Sequence, residues 1–237
     1  MNNFSAQPQK SSQDVAGLNS FLSKMYGVMC LAVLISALTA FITVGGFGNQ
    51  LLAYFGTHRA MLWIMLLLPF GLSFGISFNA YRNPASAMVM LFIVSVIYGF
   101  EFALISYAYT GAQITAAFVS SASIFAAMAL FGTFTKRDLS NWGAYASAAL
   151  IGLIVAWLIN MFVRSNPAAL VFSFIAVIIF TALTAYDANK MKSIYQQYGG
   201  QVPVNGLAVL GAFQLYLDFI NLFLQLLQIF GMFSDRN

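Results

Sequence analysis

Between Gly206 and Phe230 an otherwise apolar run carries five polar side chains: Gln214, Asp218, Asn221, Gln225 and Gln228. Their spacing of 4, 3, 4 and 3 residues puts all five on one face if the run is helical. At 1.5 Å per residue the stripe covers roughly 21 Å, much of the hydrocarbon thickness of a bilayer. A carboxylate in the middle of a lipid-immersed helix costs about 2.5–3.5 kcal/mol even on lenient insertion scales. The spacing therefore predicts that this face avoids lipid. It is either the polar centre of a bundle or the wall of a path for something hydrated.

The chain has six acidic residues, so each can be weighed. Asp14 and Asp235 lie in terminal stretches and Asp138 in a charged break, where water solvates them. Glu101, Asp187 and Asp218 lie within or at the end of apolar runs, and a carboxylate there is a functional candidate by default. The competing reading is a carboxylate that is paired or hydrogen-bonded only to hold the bundle together. Asp187 closes the sixth apolar run in TALTAYDANKMK, with Thr184 one turn earlier and in reach of its carboxylate. Asp218 follows in QLYLDFINLFLQLL. If the two runs are antiparallel, both acids fall in the same half of the membrane or near its midplane. Spacing alone leaves their contact open. If they meet, they share a proton and titrate as a pair. Such a pair senses pH and, with both members ionised, attracts a hard divalent cation such as Ca²⁺. Arg82, at the end of the second run, is the nearest counter-charge. Gln214, Asn221, Gln225 and Gln228 would line the pathway, with Glu101 nearer the opposite membrane face, attracting cations on their way in.

Bond-making chemistry has no visible machinery. The one histidine, His58, has no second histidine or cysteine to build a zinc site. The single cysteine, Cys30, cannot form an internal disulfide and reads as a small buried apolar residue. No G-x-S-x-G, H-E-x-x-H or phosphate-binding glycine loop occurs. Neither an enzyme nor a resident cofactor is expected; Ca²⁺ enters only as a transported or bound ion.

The elements that must position these residues are membrane spans. Of 237 residues 61% are hydrophobic and 7% charged, too few charges for a soluble surface. The net charge is +4, but the ten Lys and Arg are scattered, with no basic patch interleaved with aromatics, which argues against nucleic acid as a partner. Seven apolar runs, near 24–44, 61–80, 86–107, 113–134, 142–163, 168–187 and 206–230, are each long enough to cross a bilayer. Lys10, Lys24, Arg82, Lys136, Arg137, Lys190 and Lys192 then fall on one side, and Arg59, Arg164 and Arg236 on the other. This bias predicts a cytoplasmic N-terminus and, with a full seventh span, a C-terminus outside. Residues 1–20 read as a mobile polar tail and residues 21–237 as one all-α domain of seven transmembrane helices. The small-residue pairs Gly71 with Gly75, Ala122 with Ala126 and Gly143 with Ser147 read as close-packing positions.

Three strings, FGTFTKRDLSNWG, TALTAYDANKMK and LGAFQLYLDFINLFLQLLQIFG, resemble the Bax inhibitor-1 family, its bacterial members in particular. The likeness covers the chain beyond about residue 20. It implies a seven-helix integral membrane fold of the bacterial cytoplasmic (inner) membrane with the last helix in the centre, in agreement with the polar stripe. It also implies a pH-sensitive calcium leak gated by an aspartate pair that matches Asp187 and Asp218. The family's gating arginine lies at the inner end of the second helix, where Arg82 is its match, although YRNP replaces a more basic cluster. Nothing transfers to Glu101. Resemblance to some bacterial relatives implies a different class of function, modulation of or degradation by a membrane-anchored ATP-dependent protease, with the polar tail as the handle. A proton-coupled transporter would use the same acids as relays and show inverted repeats, of which none is visible.

Overall fold

The computed structural model describes residues 12–199 and 201–234. They form eight helices: α1 (Ser12–Gly46), α2 (Gly48–Thr57), α3 (Arg59–Asn79), α4 (Pro84–Ser106), α5 (Gly111–Phe134), α6 (Ser140–Val163), α7 (Asn166–Tyr198) and α8 (Val204–Ser234). Among the described residues there is no strand. Seven helices, all but α2, are long and apolar enough to cross a membrane.

The helix starts follow from local chemistry. Asn83 accepts a hydrogen bond from the Ser86 amide at 3.1 Å, with Pro84 at the first helical position of α4. Thr110 and Gln113 form a reciprocal capping box at α5. Ser165 caps α7 through the Ala168 amide, with Pro167 just inside. α6 stops where Arg164 takes φ 55°, a left-handed conformation uncommon for a side chain with a Cβ. The Asn160 side chain secures that turn by accepting from the Ser165 amide at 3.2 Å.

Three boundaries differ from the sequence expectation. α1 begins at Ser12, so the second half of the stretch read as a mobile tail is helical, and residues 1–11 lie outside the described residues. α2 lies between the first two expected runs, where no element was expected, and its ten residues are too few to span. α7 continues to Tyr198 rather than ending at Asp187, because the polar residues that follow are good helix formers and hydropathy marks the end of burial in lipid, not of the helix. Asp235 and Arg236 lie outside the described residues.

α8 is the centre of the bundle. It packs against α7, α5, α1 and α4 and, at its start, α3; α6 packs chiefly against α7. Of the most apolar window of α8, 72% of residues are buried, against 11% in α3 and in α6. Yet α8 has the lowest mean hydropathy of the seven spans. In lipid the helix with polar groups to satisfy goes inside, where other helices rather than hydrocarbon surround it. Aromatic rings lock it on one side, Tyr98 on Tyr216 and Phe102 on Phe223 from α4, Phe118 and Phe125 on Phe219 from α5.

Where backbones touch, the missing Cβ matters. A Cβ on Gly132 would run into the Ala185 carbonyl, joining α5 to α7, and one on Gly206 into the Ala80 carbonyl, joining α8 to the end of α3. Gly143 lies under the Tyr186 ring, whereas Gly71 has nothing within 4 Å and does not pack as expected. Cys30 is exposed on the outer surface of the bundle rather than buried.

Candidate functional site

The α8 stripe faces α7 and α6. At its middle, Asp218 is buried, 5% exposed, and its Oδ2 has no hydrogen-bond partner. Asp187 of α7 is half-buried and close enough for its charge to act on Asp218. Asp187 is 11 residues before the end of α7, and Asp218 is 14 residues after the start of α8. These offsets correspond to roughly 17 and 21 Å, so the two acids are nearly level in antiparallel helices.

The partners of the pair differ in two ways from those expected. Thr184 does not bond Asp187; its hydroxyl donates to the Phe180 carbonyl of its own helix at 2.8 Å. Arg82 stands exposed in the turn between α3 and α4 and is not among the charges acting on either acid. The cation that acts on Asp187 is Lys190, held over the Tyr186 ring at 5.5 Å from its centroid. The i, i+3 spacing of Asp187 and Lys190 was visible in the sequence and is the signal that could have found it.

The rest of the stripe divides by what it meets. Gln214 and Gln225 each bury a side-chain oxygen without a partner, like Asp218. Gln228 accepts from Ser173 of α7 at 2.9 Å, and Asn221 donates to the Leu217 carbonyl at 2.8 Å. Asn221, Gln225 and Gln228 form the polar floor of a cleft of about 630 Å³ walled by Leu153, Trp157 and Asn160 of α6 and by Ala176 and Phe180 of α7. Beyond the pair, at the C-terminal end of α7, a polar basin of about 700 Å³ lies between that end and the α5–α6 turn. Along α7 the cleft reaches Phe180 and the basin begins at Tyr186, so the two are separated by roughly 9 Å of packed helix.

Glu101 is not part of this face, contrary to expectation. It is 8% exposed on α4, its Oε1 lacks a partner, and its charge acts on Tyr98 and Tyr216. Tyr216 is two residues from Asp218, hence roughly 200° around α8 from it. Glu101 therefore belongs to a second polar cluster across the central helix. There Ser36 Oγ of α1 lies 2.7 Å from Tyr216 Oη and donates to the Ser95 carbonyl at 2.8 Å. Sequence periodicity on α8 says nothing about which of its faces α4 meets.

Calcium takes 6–8 oxygen ligands, and among the described residues no group of three or more His, Cys, Asp or Glu could hold a metal. Gln214 and Gln225, with their unpartnered side-chain oxygens, lie four residues before and seven after Asp218 on α8.

The family model described as inhibitor of apoptosis-promoting Bax1 matches residues 18–235. A membrane protein of Streptococcus pyogenes serotype M1 is 38% identical over 220 residues, covering 93% of this chain and 96% of its own. The inner membrane protein YbhL of Escherichia coli K12 is 36% identical over 222 residues, 92% and 94% of the two chains. YrjE of Lactococcus lactis is 35% identical over 216 residues, 91% and 92% of the two.

Proposed function

The chain belongs to the Bax inhibitor-1 family of membrane proteins, and from that premise we propose that it is a pH-sensitive leak for calcium, gated by Asp187 and Asp218. The order of features along one face of α7 and α8 supports this reading. A polar basin whose lining begins at Tyr186, beside Asp187, and a cleft floored by Asn221, Gln225 and Gln228 lie on either side of the Phe180–Tyr186 stretch of α7, with Asp218 between Gln214 and that cleft floor on α8. With the N-terminus in the cytoplasm, as the Lys and Arg bias predicts, the basin opens to the cytoplasm and the cleft lies toward the other membrane face.

The chemistry follows from charge in a dry interior. Sharing one proton, the acids carry a single negative charge between them, which Lys190 balances from the Asp187 side. With both ionised, two like charges are held together in low dielectric, where repulsion is many-fold stronger than in water. Two events relieve it: α7 moves away from α8, or a cation arrives. Ca²⁺ accepts carboxylate and amide oxygens alike, and Gln214 and Gln225 supply the latter on either side of Asp218. The acids thus act as proton sensor and cation attractor at once, a bistable contact biased by pH.

The test is calcium influx into proteoliposomes loaded with an indicator, across about pH 5 to 8, wild type beside Asp218→Asn. The wild type gives a pH-dependent flux that the variant flattens. An unchanged pH profile in the variant, or no wild-type flux above empty liposomes with folded protein confirmed, would reject the reading.

A further inference from the structure

The basin between the α5–α6 turn and the end of α7 has a charge pattern of which the gate uses only Lys190. Its lining carries Lys136, Arg137, Lys190 and Lys192 against a single acid, Asp138, a net charge of 4 − 1 = +3. That acid is already engaged: Ser140 donates to its Oδ1 through the hydroxyl at 2.6 Å and the amide at 2.9 Å. The same two bonds hold its carboxyl below the usual carboxylate range, so it stays ionised and fixes the turn rather than neutralising its neighbours. Lys192 builds the wall, donating to the Thr133 and Thr135 carbonyls at 2.6 and 3.3 Å and so capping the end of α5. Lys136 and Arg137 stand exposed on the rim.

The surroundings place this basin at the membrane surface. Phe134, Trp142 and Tyr145 flank the turn on α5 and α6 and are exposed at 75%, 47% and 76%, with Trp142 against Phe131. Exposed aromatics at helix ends next to Lys and Arg mark the headgroup level of a bilayer. A cationic pocket at that depth, open beside lipid-facing rings, is built for an anion whose tail continues into the membrane.

We propose that the basin is a binding site for the phosphate headgroup of an anionic phospholipid, with Lys136 and Arg137 as its principal contacts and the acyl chains laid along Phe134 and Trp142. Arg137 offers the planar fork that suits phosphate oxygens, and Lys136 a point charge beside it. Phosphate is the shared chemistry of a lipid headgroup and a free anion; the exposed aromatics favour the lipid. The site is independent of whether calcium passes through the protein.

The experiment uses the full-length protein in neutral detergent, titrated with phosphatidylglycerol or with phosphatidylcholine of the same chains. Retained lipid is counted by native mass spectrometry and protection by thermal shift. Phosphatidylglycerol binds preferentially and its binding weakens with salt. At about 1 kcal/mol per basic residue near an anionic surface, each neutralised cation costs roughly fivefold, so Lys136→Gln with Arg137→Gln weakens phosphatidylglycerol roughly 25-fold. Arg59→Gln, at the start of α3, leaves it unchanged. Both rim residues are exposed, so the double variant folds, which its unliganded melting temperature checks. Equal retention of phosphatidylcholine, or phosphatidylglycerol binding within about twofold of wild type in the double variant, overturns the site. Equal protection by inorganic phosphate without charged lipid overturns the lipid as its source.

Discussion

Gly132→Ala tests the packing that holds the gate. The new methyl would fall on the Ala185 carbonyl, backbone against backbone, where no flexible side chain can yield. The end of α5 is also tied to α7 by hydrogen bonds, Asn189 to the Gly132 carbonyl at 3.1 Å and Lys192 to the Thr133 carbonyl at 2.6 Å. Accommodating the methyl therefore means pushing α7 outward and stretching those bonds. Overpacking costs about 1–3 kcal/mol, and a weakened hydrogen bond about 0.5–1.5 kcal/mol. The sum is about 1.5–4.5 kcal/mol, or roughly 10- to 2,000-fold in the unfolding constant. Equilibrium unfolding in mixed micelles with rising SDS measures it. Gly27→Ala is the control, since that glycine has nothing within 4 Å. Ala185 lies two residues from Asp187, so the same displacement loosens the acid pair and raises basal leak. Stability within about 0.5 kcal/mol of wild type would refute the close approach of α5 and α7.

Two further changes probe the opposite side of α8. Glu101→Gln leaves the pH profile of calcium flux where it is in the wild type, because Glu101 lies across the helix from Asp218; a shifted midpoint in the liposome assay would put it on the pathway. Tyr216→Phe removes the hydrogen bond to Ser36 at 2.7 Å and costs about 0.5–1.5 kcal/mol in the same unfolding assay, with the pH profile of flux unchanged. No measurable loss of stability would mean that this bond does not help to hold α1 on α8.

The division between what the sequence disclosed and what it did not is physical. Spans are legible because crossing a bilayer demands about 20 apolar residues, and five of the seven expected runs lie within α1 or one of α5 to α8, while those at 61–80 and 86–107 overrun α3 and α4 by one residue each. The central position of α8 was legible because Gln214, Asp218, Asn221, Gln225 and Gln228 share one face and lipid cannot satisfy them. The end of α7 was not, since Lys190 and Lys192 read as a break although the helix runs on past them. α2 was missed because a ten-residue helix lacks the length that marks a span. Partner assignments failed where they depended on rotation about an axis. Arg82 sits at the expected end of its helix but points into the open, Lys190 takes its place beside Asp187, and Glu101 meets Tyr216 rather than the stripe.

The central claim is that Asp187 and Asp218 act as one unit. A double-mutant cycle on the pH profile of flux, with Asp187→Asn, Asp218→Asn and the pair combined in the same proteoliposomes, tests it directly. Either single change is expected to abolish the pH response, and the double variant to add nothing further, since one missing carboxyl already dissolves the shared proton. Two independent, additive shifts in the pH midpoint would contradict it.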